Sequence, residues 1–429
     1  MLEIRPLAST PDAALAVAIN HAPYLKRLSE RTEARPFEAA LGSVADLPAD
    51  MPIDEAMTVL RKAKAAVHLS LAADDLSGTR SVMEVTRALT AFAMASVQAA
   101  LRVALANRGL SDTGLFIIAL GKMGAFELNY SSDIDIVAFY DPDGFDGGER
   151  SPGETAQRVL KDVVRLLDEV TADGYVFRTD LRLRPDPSST PLAVSTAMAE
   201  MYYESVGQNW ERMVWIKARA AAGDIDAAAR FIDRMGAYVW RRNLDYWAID
   251  DIQAIKRMIN TKIGAHGFEN PAPDIKLGPG GIREIEFFVQ TQQLIMGGRH
   301  PELRDNTTLG AMEALREADI VTDETASDLT KAYKLLRDVE HRIQMRHDEQ
   351  SHTIPADAEE REGVAALCGY TSLADFDRDL LETRRLVQAA YDALFARDEQ
   401  QDEPSGIGNL VFTGVDDDPE TVRTLLGLG

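Results

Sequence analysis

The sequence is poor in cysteine and in positive charge. Cys368 is the single cysteine among 429 residues, so no disulfide can form within the chain and a cysteine-based metal site is excluded. Lysine and arginine total 46 against 69 aspartate and glutamate residues, a net charge of -23. Nucleic acids and anionic membranes are bound through basic patches. We therefore expect neither as a partner, and the cysteine usage predicts a reducing, cytoplasmic location.

Signals for secretion, membrane insertion and histidine-based metal binding are also missing. Residues 1–20 lack the basic start and long apolar block of a signal peptide. The most apolar window, residues 89–106, contains Gln98 and Arg102, which predicts a buried helix rather than a membrane span. The 7 histidines show no metal-ligand spacing and are expected on the surface or in the core.

The period of the apolar residues divides the chain into four predicted segments. Residues 1–110 show three- and four-residue spacing, which predicts an N-terminal helical region. Residues 111–225 contain short apolar runs and form the predicted catalytic core. The helical period then dominates and predicts a C-terminal helical bundle over 226–400, whereas the acidic residues 401–429 are typical of a linker or tail.

The predicted core contains a small mixed sheet, which makes the fold class α+β. We predict strands over 113–120, 134–140, 175–183 and 191–194, because these runs are apolar, short and bounded by Gly- and Pro-rich turns. The helical pattern resumes at Thr196 and is interrupted by a Gly- and Pro-rich stretch at 264–281.

Asp133 and Asp135 are the most informative pair of residues. They lie at the start of the predicted strand 134–140, where side chains two residues apart point to the same side at a backbone spacing of roughly 7 Å. Neighbouring carboxylates repel each other unless a cation lies between them, and hard divalent cations favour carboxylate and phosphate oxygens. The pair therefore predicts a metal site for phosphoryl or nucleotidyl chemistry, with a solvated strand edge as the alternative.

A third carboxylate, Asp180, lies in an arginine-rich predicted strand. An acidic side chain within a strand needs a partner or a function, and on a neighbouring strand it would complete a two-metal site. The surrounding arginines would either pair with carboxylates or bind phosphate through two N–H groups. They are Arg178, Arg182 and Arg184.

Further candidates for phosphate contacts precede the aspartates. Gly121 and Gly124 follow a predicted strand, at a place where the backbone can approach a phosphate closely. Ser131 and Ser132 stand beside the acidic pair and can donate hydrogen bonds to phosphate oxygens.

Three motifs, in order, resemble the glutamine synthetase adenylyltransferase family. They are Gly-Lys-Met-Gly-x-x-Glu-Leu-Asn-Tyr-Ser-Ser-Asp-Ile-Asp at 121–135, Arg-x-Asp-Leu-Arg-Leu-Arg-Pro at 178–185 and Gly-Pro-Gly-Gly-Ile-Arg-Glu-Ile-Glu-Phe at 278–287. The resemblance implies a nucleotidyltransferase-like sheet and an enzyme that adds AMP to, or removes it from, a tyrosine of glutamine synthetase. Proteins of this family have two related catalytic halves, and this chain resembles the N-terminal half. The resemblance lies in the helical region before the first motif, in Glu127 and in the Ile-Arg-Glu-Ile-Glu segment. It implies removal of AMP by inorganic phosphate with release of ADP.

The resemblance also assigns roles to residues and implies ligands. It makes Asp133, Asp135 and Asp180 the catalytic residues that bind Mg²⁺ or Mn²⁺, and it places Gly121 and Lys122 at the start of a phosphate-binding turn. The implied partners are adenylylated glutamine synthetase, inorganic phosphate and the AMP moiety, with a PII-type signalling protein as a further candidate. Two alternatives stay open, namely adenylyl transfer from ATP to a tyrosine or small-molecule hydroxyl, and a non-catalytic regulatory half.

The segment around Trp210 has a structural and a functional interpretation. Trp210, Met213 and Val214 share one face of a predicted helix, and this spacing predicts packing against the sheet. Lys217 and Arg219 follow on the same segment, and the resemblance makes them alternative contacts for phosphate or AMP.

Two further segments remain open. The Gly-rich turn before Glu284 and Glu286 leads into a helix, whose first N–H groups attract anions, so it is either a packing turn or a phosphate-binding loop. The two glutamates lie on different faces of that helix, so one of them is expected to reach the active site. The dense alternating charge of residues 327–346 predicts a solvated helix face or a docking surface.

Overall fold

The N-terminal part of the chain is an array of helices. The computed structural model describes residues 3–32, 35–241, 268 and 272–401. The first helices, α1 to α5, span Pro11–Ala18, Pro23–Arg31, Phe37–Ala45, Ile53–Leu76 and Val82–Ala106. By length and composition α5 could cross a membrane, but 72% of its most apolar window is buried inside the protein. The predicted buried helix is therefore confirmed.

A small mixed sheet follows this helical region. Its strands β1 to β5 span Leu115–Ala119, Ile134–Tyr140, Thr179–Asp180, Ala193–Ser195 and Arg219–Gly223. The strands run in the order β3-β2-β1-β5, and β4 also pairs with β2. β1 is antiparallel to β2 and β5, whereas β3 and β4 run parallel to β2. The predicted α+β fold with a small mixed sheet is confirmed.

Helices connect and flank the strands. Those between β1 and the residues that follow β5 are α6 to α10, which span Gly121–Gly124, Pro152–Asp168, Thr196–Ser205, Asn209–Ile216 and Ile225–Val239. The C-terminal part consists of α11 to α15 and a short 3-10 helix at Pro301–Leu303. Its α-helices span Ile282–Met296, Thr308–Glu317, Asp323–His347, Ala358–Leu367 and Leu373–Gln401. The predicted acidic tail, apart from Gln401, lies outside the described residues.

Both faces of the sheet are buried, against different helices. Alternate residues of β2 point to opposite sides, so Ile136 and Ala138 join a core formed with α4, α5 and α7. Val137 and Phe139 face the other side, where the Phe139 ring lies 4.7 Å from the ring of Phe231 on α10. The apolar interior of β2 therefore holds the strand in place from both sides and fixes the position of its acidic first residues.

Two strand predictions are wrong in detail. The strand predicted over 175–183 is reduced to Thr179–Asp180, because the residues around it form turns. β5 was expected to be helical, since its sequence Arg-Ala-Ala-Ala-Gly favours a helix, but it pairs with β1 instead. Tertiary pairing outweighs local propensity at this strand.

The prediction that Trp210 packs in the core is also wrong. Trp210 is 41% exposed, whereas Met213 is buried and Trp215 is 4% exposed. The Trp215 ring stands edge-on to the ring of Tyr203, with 5.3 Å between their centroids. The buried face of α9 is therefore rotated from the face that the spacing predicted, and Trp215 is its aromatic anchor.

Candidate active site

The structure brings the three predicted carboxylates to one place. In the parallel pairing of β2 with β3, Asp135 stands directly opposite Asp180, and Asp133 lies two residues before Asp135. Burial, followed by the charges of Asp133 and Asp180, raises the pKa of the Asp135 carboxyl to about 7. The charges of Asp133 and Asp180 add to the effect of burial, and a divalent cation between the carboxylates would relieve this repulsion.

Asp180 differs from the other two because an arginine is bound to it. Its carboxylate accepts hydrogen bonds from Arg182, with distances of 2.9 Å from Nε and 2.5 Å from a terminal nitrogen to Oδ2. The Arg182 bonds hold the pKa of Asp180 below its usual value. Asp133 and Asp135 make no ion pair in the described part of the chain. Within the same residues, the structure contains no group of three or more His, Cys, Asp or Glu side chains that is close enough to hold a metal ion.

These donors fit a hard divalent cation by their chemistry. Asp133 and Asp135 offer oxygens with no ion-pair partner among the described residues, and their repulsion favours a bound cation. Asp180 would join them only after its carboxylate turns from Arg182, whose side chain is 82% exposed and therefore free to move. The metal-binding role of all three residues stays a prediction.

The first turn after β1 lies directly behind Asp135. Gly121 opens α6 with φ at +52°, and a Cβ at this position would lie 3.0 Å from Cγ of Asp135 and overlap with Oδ2. The backbone N–H of Leu120 donates to the Asp135 carbonyl over 2.9 Å. Gly121 therefore leaves the space in which the Asp135 carboxylate sits, and α6 is a single helical turn that supports this carboxylate.

Helix α13 anchors the loop between α6 and β2. Arg337 donates to the carbonyl of Glu127 over 2.5 Å and to Oδ1 of Asn129 over 2.6 Å. Gln344 accepts from the backbone N–H of Ser131 over 2.8 Å. The predicted solvated face is present at Ser327, Lys331 and Lys334, which are exposed, but not at residues 339–346, which are buried. The inward charges of this helix are paired, and this pairing is what makes their burial tolerable.

Lys122 is part of the same network. Its Nζ lies 2.9 Å and 3.1 Å from the two carboxylate oxygens of Glu340, and Arg337 lies 3.3 Å from the same carboxylate. Burial works against the charge of Glu340, but Lys122 and Arg337 outweigh it and hold the pKa of Glu340 well below its usual value. Lys122 therefore ties α6 to α13, and its charge is already balanced.

A cavity of about 330 Å³ opens beside Asp135. One wall consists of Gly121, Asp135 and the segment after β3, and the opposite wall consists of α9 and α11. Val214 and Phe287 supply apolar surface, while the polar wall includes glutamate, lysine and arginine side chains. A volume of this size suits a nucleotide-sized ligand.

Lys217 lines this cavity, but its ammonium group is paired on both sides. Its Nζ lies 3.1 Å from Glu286 and 3.4 Å from Glu127. Burial favours the neutral amine, but the two carboxylates outweigh it and raise the pKa of Lys217. Thr308 donates its backbone N–H to Glu127 over 2.7 Å, so Lys217 is the centre of a buried cluster that joins the sheet to α11 and α12.

Of the other predicted phosphate contacts, Ser132 and Arg182 stand closest to the carboxylates. Ser132 lines a smaller cavity together with Asp133, and Arg182 binds Asp180. Arg178 instead donates to the carbonyl and hydroxyl of Ser131, and both side chains lie away from the two cavities. Arg184 donates to the carbonyls of Leu181, Pro187 and Thr190, which stabilises the following turn.

Two positively charged side chains on the cavity wall were not among the binding residues that the sequence predicted. Lys276 and Arg283 line the cavity, and neither makes an ion pair within the described ranges. Glu286 reaches the same cavity, as expected for one of the two glutamates, whereas Glu284 is buried and accepts from the backbone N–H of Gly280 over 3.1 Å. The helix-start signal in the Gly-rich turn pointed to this region but not to these side chains.

Two family models match the sequence of this chain. The sequence model of glutamate-ammonia ligase adenylyltransferase matches residues 6–234, more than half of the chain. The chain belongs to this family. A second model, described as PII-uridylyltransferase, matches residues 253–395.

Relatives in two bacteria support the assignment. The bifunctional glutamine synthetase adenylyltransferase/adenylyl-removing enzyme of Caulobacter vibrioides is 48% identical over 97% of this chain and 44% of its own length. The protein of the same name from Rhizobium meliloti is 47% identical over 89% of this chain and 40% of its own length. The chain therefore spans less than half the length of these relatives.

Proposed function

We propose that this chain removes AMP from adenylylated glutamine synthetase in the cytoplasm by phosphorolysis. The observation that supports the proposal best is the group of Asp133, Asp135 and Asp180, of which Asp135 lines a nucleotide-sized cavity. Family membership supports adenylyl chemistry on glutamine synthetase, and the motif resemblance to an N-terminal half supports the removing direction.

The proposed reaction is an in-line displacement at phosphorus. An oxygen of hydrogen phosphate forms a bond to the phosphorus of tyrosyl-AMP, and the bond from that phosphorus to the tyrosyl oxygen breaks. The proton of the phosphate goes to the leaving phenolate, so the products are ADP and unmodified tyrosine. Atoms and charge balance without an oxidant, a reductant or a further reactant.

The residues of the cavity have distinct roles in this proposal. Asp133, Asp135 and Asp180 would hold Mg²⁺ or Mn²⁺, which would offset the negative charge on the phosphorus oxygens. Arg283, exposed at the larger cavity and without an ion pair in the part of the chain described, would bind the AMP phosphate. Arg182 would turn from Asp180 to substrate phosphate, which frees the third carboxylate.

The phosphate dependence of ADP release tests this proposal. The chain is incubated with adenylylated glutamine synthetase and Mg²⁺, with and without phosphate, and ADP is measured. Release of ADP only with phosphate is expected, and Asp133→Asn should abolish it while leaving the far-UV circular dichroism spectrum unchanged. Incorporation of AMP from ATP without phosphate dependence would instead show the adding direction, and turnover close to wild type in Asp133→Asn would refute the carboxylate assignment.

A regulatory contact is proposed from the second family match. Because residues 253–395 match a model described as PII-uridylyltransferase, we propose a PII-type signalling protein as a partner of this region. Co-sedimentation of the chain with purified PII protein tests the contact, and a lack of binding in both modified states of PII would refute it.

A further inference from the structure

A second, smaller cavity adjoins the first. It measures about 50 Å³ and shares three wall residues with the larger cavity, namely Lys122, Asp135 and Lys276. A water molecule occupies about 30 Å³ of liquid, so this space is too small for a nucleotide but has room for a compact ion. The two cavities therefore differ in the size of ligand that they accept, and they meet beside the Asp135 carboxylate.

Lys276 is the cation at the junction of the two cavities, and its backbone is held on both sides. Asp274 accepts hydrogen bonds from the N–H groups of Lys276 and Leu277 over 2.9 Å and 2.6 Å. The Lys276 carbonyl accepts from the N–H of Arg283 over 3.0 Å. An isolated β-bridge between Asp274 and Thr353 places the neighbouring His352 in the same cavity.

The Lys276 ammonium has no ion-pair partner among the described residues, although the chain has a net charge of -23. The other two lysines on the cavity walls are paired, Lys122 with Glu340 and Lys217 with Glu286 and Glu127. The Lys276 charge acts on the carboxylates of Asp135 and Glu340 without a direct ion pair to either. Its ammonium group is therefore available to bind an anion in the adjoining cavity.

The rest of the smaller cavity offers hydrogen-bond donors and two carboxylates that make no ion pair within the described part of the chain. Ser132 accepts from the N–H of Asn129 over 3.3 Å, which leaves its own hydroxyl hydrogen available. Gln344 contributes an amide. The charge of Glu340 is offset by Lys122 and Arg337, so the carboxylates that oppose an anion are Asp133 and Asp135, which are also the proposed ligands of a divalent cation.

We propose that the smaller cavity binds inorganic phosphate, the nucleophile of the reaction, and that Lys276 is its principal binding residue. This inference rests on the proposed function, since it names the subsite of one of the two substrates. The larger cavity then takes the AMP group, and the phosphorus under attack lies where the cavities meet. Because Asp133 and Asp135 repel an anion when no metal is bound, phosphate should bind well only when Mg²⁺ is present.

Two measurements on the whole chain test this assignment. The first is the KM for phosphate, and separately for adenylylated glutamine synthetase, in wild type, Lys276→Gln and Lys276→Arg. The second is calorimetric titration of phosphate into the chain with Mg²⁺ and without the protein substrate. Lys334→Gln, which removes an exposed lysine from α13, is the matched control.

Lys276→Gln should raise the KM for phosphate about tenfold or more, because it loses a charge-assisted hydrogen bond. Its KM for adenylylated glutamine synthetase should stay close to the wild-type value. Lys276→Arg should recover part of the affinity, and Lys334→Gln should behave as wild type. In the titration, wild type should bind phosphate with Mg²⁺, and Lys276→Gln should bind it at least about tenfold more weakly.

The outcomes separate this inference from the proposed function. Phosphate-dependent ADP release with an unchanged KM for phosphate in both Lys276 variants would overturn the phosphate subsite and leave the function intact. Lack of ADP release, combined with phosphate binding that Lys276→Gln abolishes, would overturn the function and support the subsite. If Lys276→Gln fails to fold, Lys276→Ala, which also removes the charge, takes its place in both measurements. Phosphate binding equal to wild type in that variant, or an equal loss in Lys334→Gln, would refute the assignment.

Discussion

Replacement of Gly121 by alanine should displace the Asp135 carboxylate and lower turnover while the protein still folds. Gly121 has φ at +52°, and an added Cβ would overlap with Oδ2 of Asp135. The three heavy atoms nearest to that Cβ all belong to the Asp135 side chain. The expected result of Gly121→Ala is therefore a displaced carboxylate in a protein that still folds.

The size of each effect follows from the local geometry. A positive φ costs an L-residue roughly 1–2 kcal/mol of folding free energy. Gly109 provides the matched control, because its φ is +66° but a Cβ there meets nothing within 4 Å. Gly109→Ala thus measures the backbone cost alone. To admit the Cβ of Gly121→Ala, the Asp135 carboxylate must move by about 1 Å, and displacement of that order can cost about 100-fold in rate.

Phosphate-dependent ADP release and urea denaturation are the two assays. Both variants should lose roughly 1–2 kcal/mol in the free energy of unfolding, but only Gly121→Ala should lose about 100-fold in turnover. Turnover close to wild type in Gly121→Ala, at a stability equal to that of Gly109→Ala, would refute the claim that Gly121 makes space for a functional carboxylate. Equal losses of turnover in both variants would refute it as well.

Three further predictions concern charge, buried polar contacts and aromatic packing. Burial and two neighbouring carboxylates raise the pKa of Asp135 from 3.8 to about 7. The folded state therefore binds the proton more tightly than the unfolded chain does. The contribution of this group to stability falls as the pH rises from about 4 to about 7. In metal-free protein, Asp135→Asn should therefore raise the melting temperature more at about pH 8 than at about pH 5, and equal shifts at both would contradict this. Arg337→Met removes the buried donor to the Glu127 carbonyl and should cost about 3–5 kcal/mol in urea denaturation; a loss below about 1 kcal/mol would show that the contact matters little. Trp215→Ala should cost about 3–5 kcal/mol, whereas exposed Trp210→Ala should cost less than about 1 kcal/mol, and the reverse order would contradict the observed rotation of α9.

The sequence was sufficient for features that depend on local pattern. The bounds predicted for β2, residues 134–140, agree with Ile134–Tyr140, because an apolar run buried on both faces is distinctive. The acidic residues at its start followed from the same pattern. To predict that Asp180 lies next to Asp135, we needed only one more assumption, namely that the third predicted strand pairs with β2.

Features that depend on which charges meet in space could not be read from one sequence. Residues 327–346 have the composition of an exposed helix, and only the approach of α13 to the loop before β2 shows that Arg337 and Glu340 point inward. Likewise Lys217 seemed suited to phosphate until Glu127 and Glu286, far apart in sequence, were found on either side of its ammonium. Side-chain pairing is a tertiary property, so periodicity and spacing do not encode it.

The pairing of lysines around the cavities gives a physical rule for their roles. Lys122 and Lys217 each link separate segments through buried carboxylates, and removal of either would break a buried ion pair. Lys276 has no such partner among the described residues, and neither does Arg283, so their charges are available to a ligand. Paired cations should therefore govern stability and unpaired ones substrate affinity. Glutamine substitutions distinguish the two classes, because those at Lys122 and Lys217 should mainly lower the free energy of unfolding, whereas those at Lys276 and Arg283 should mainly raise KM. A Lys217→Gln variant with wild-type stability and a raised phosphate KM would invalidate this division.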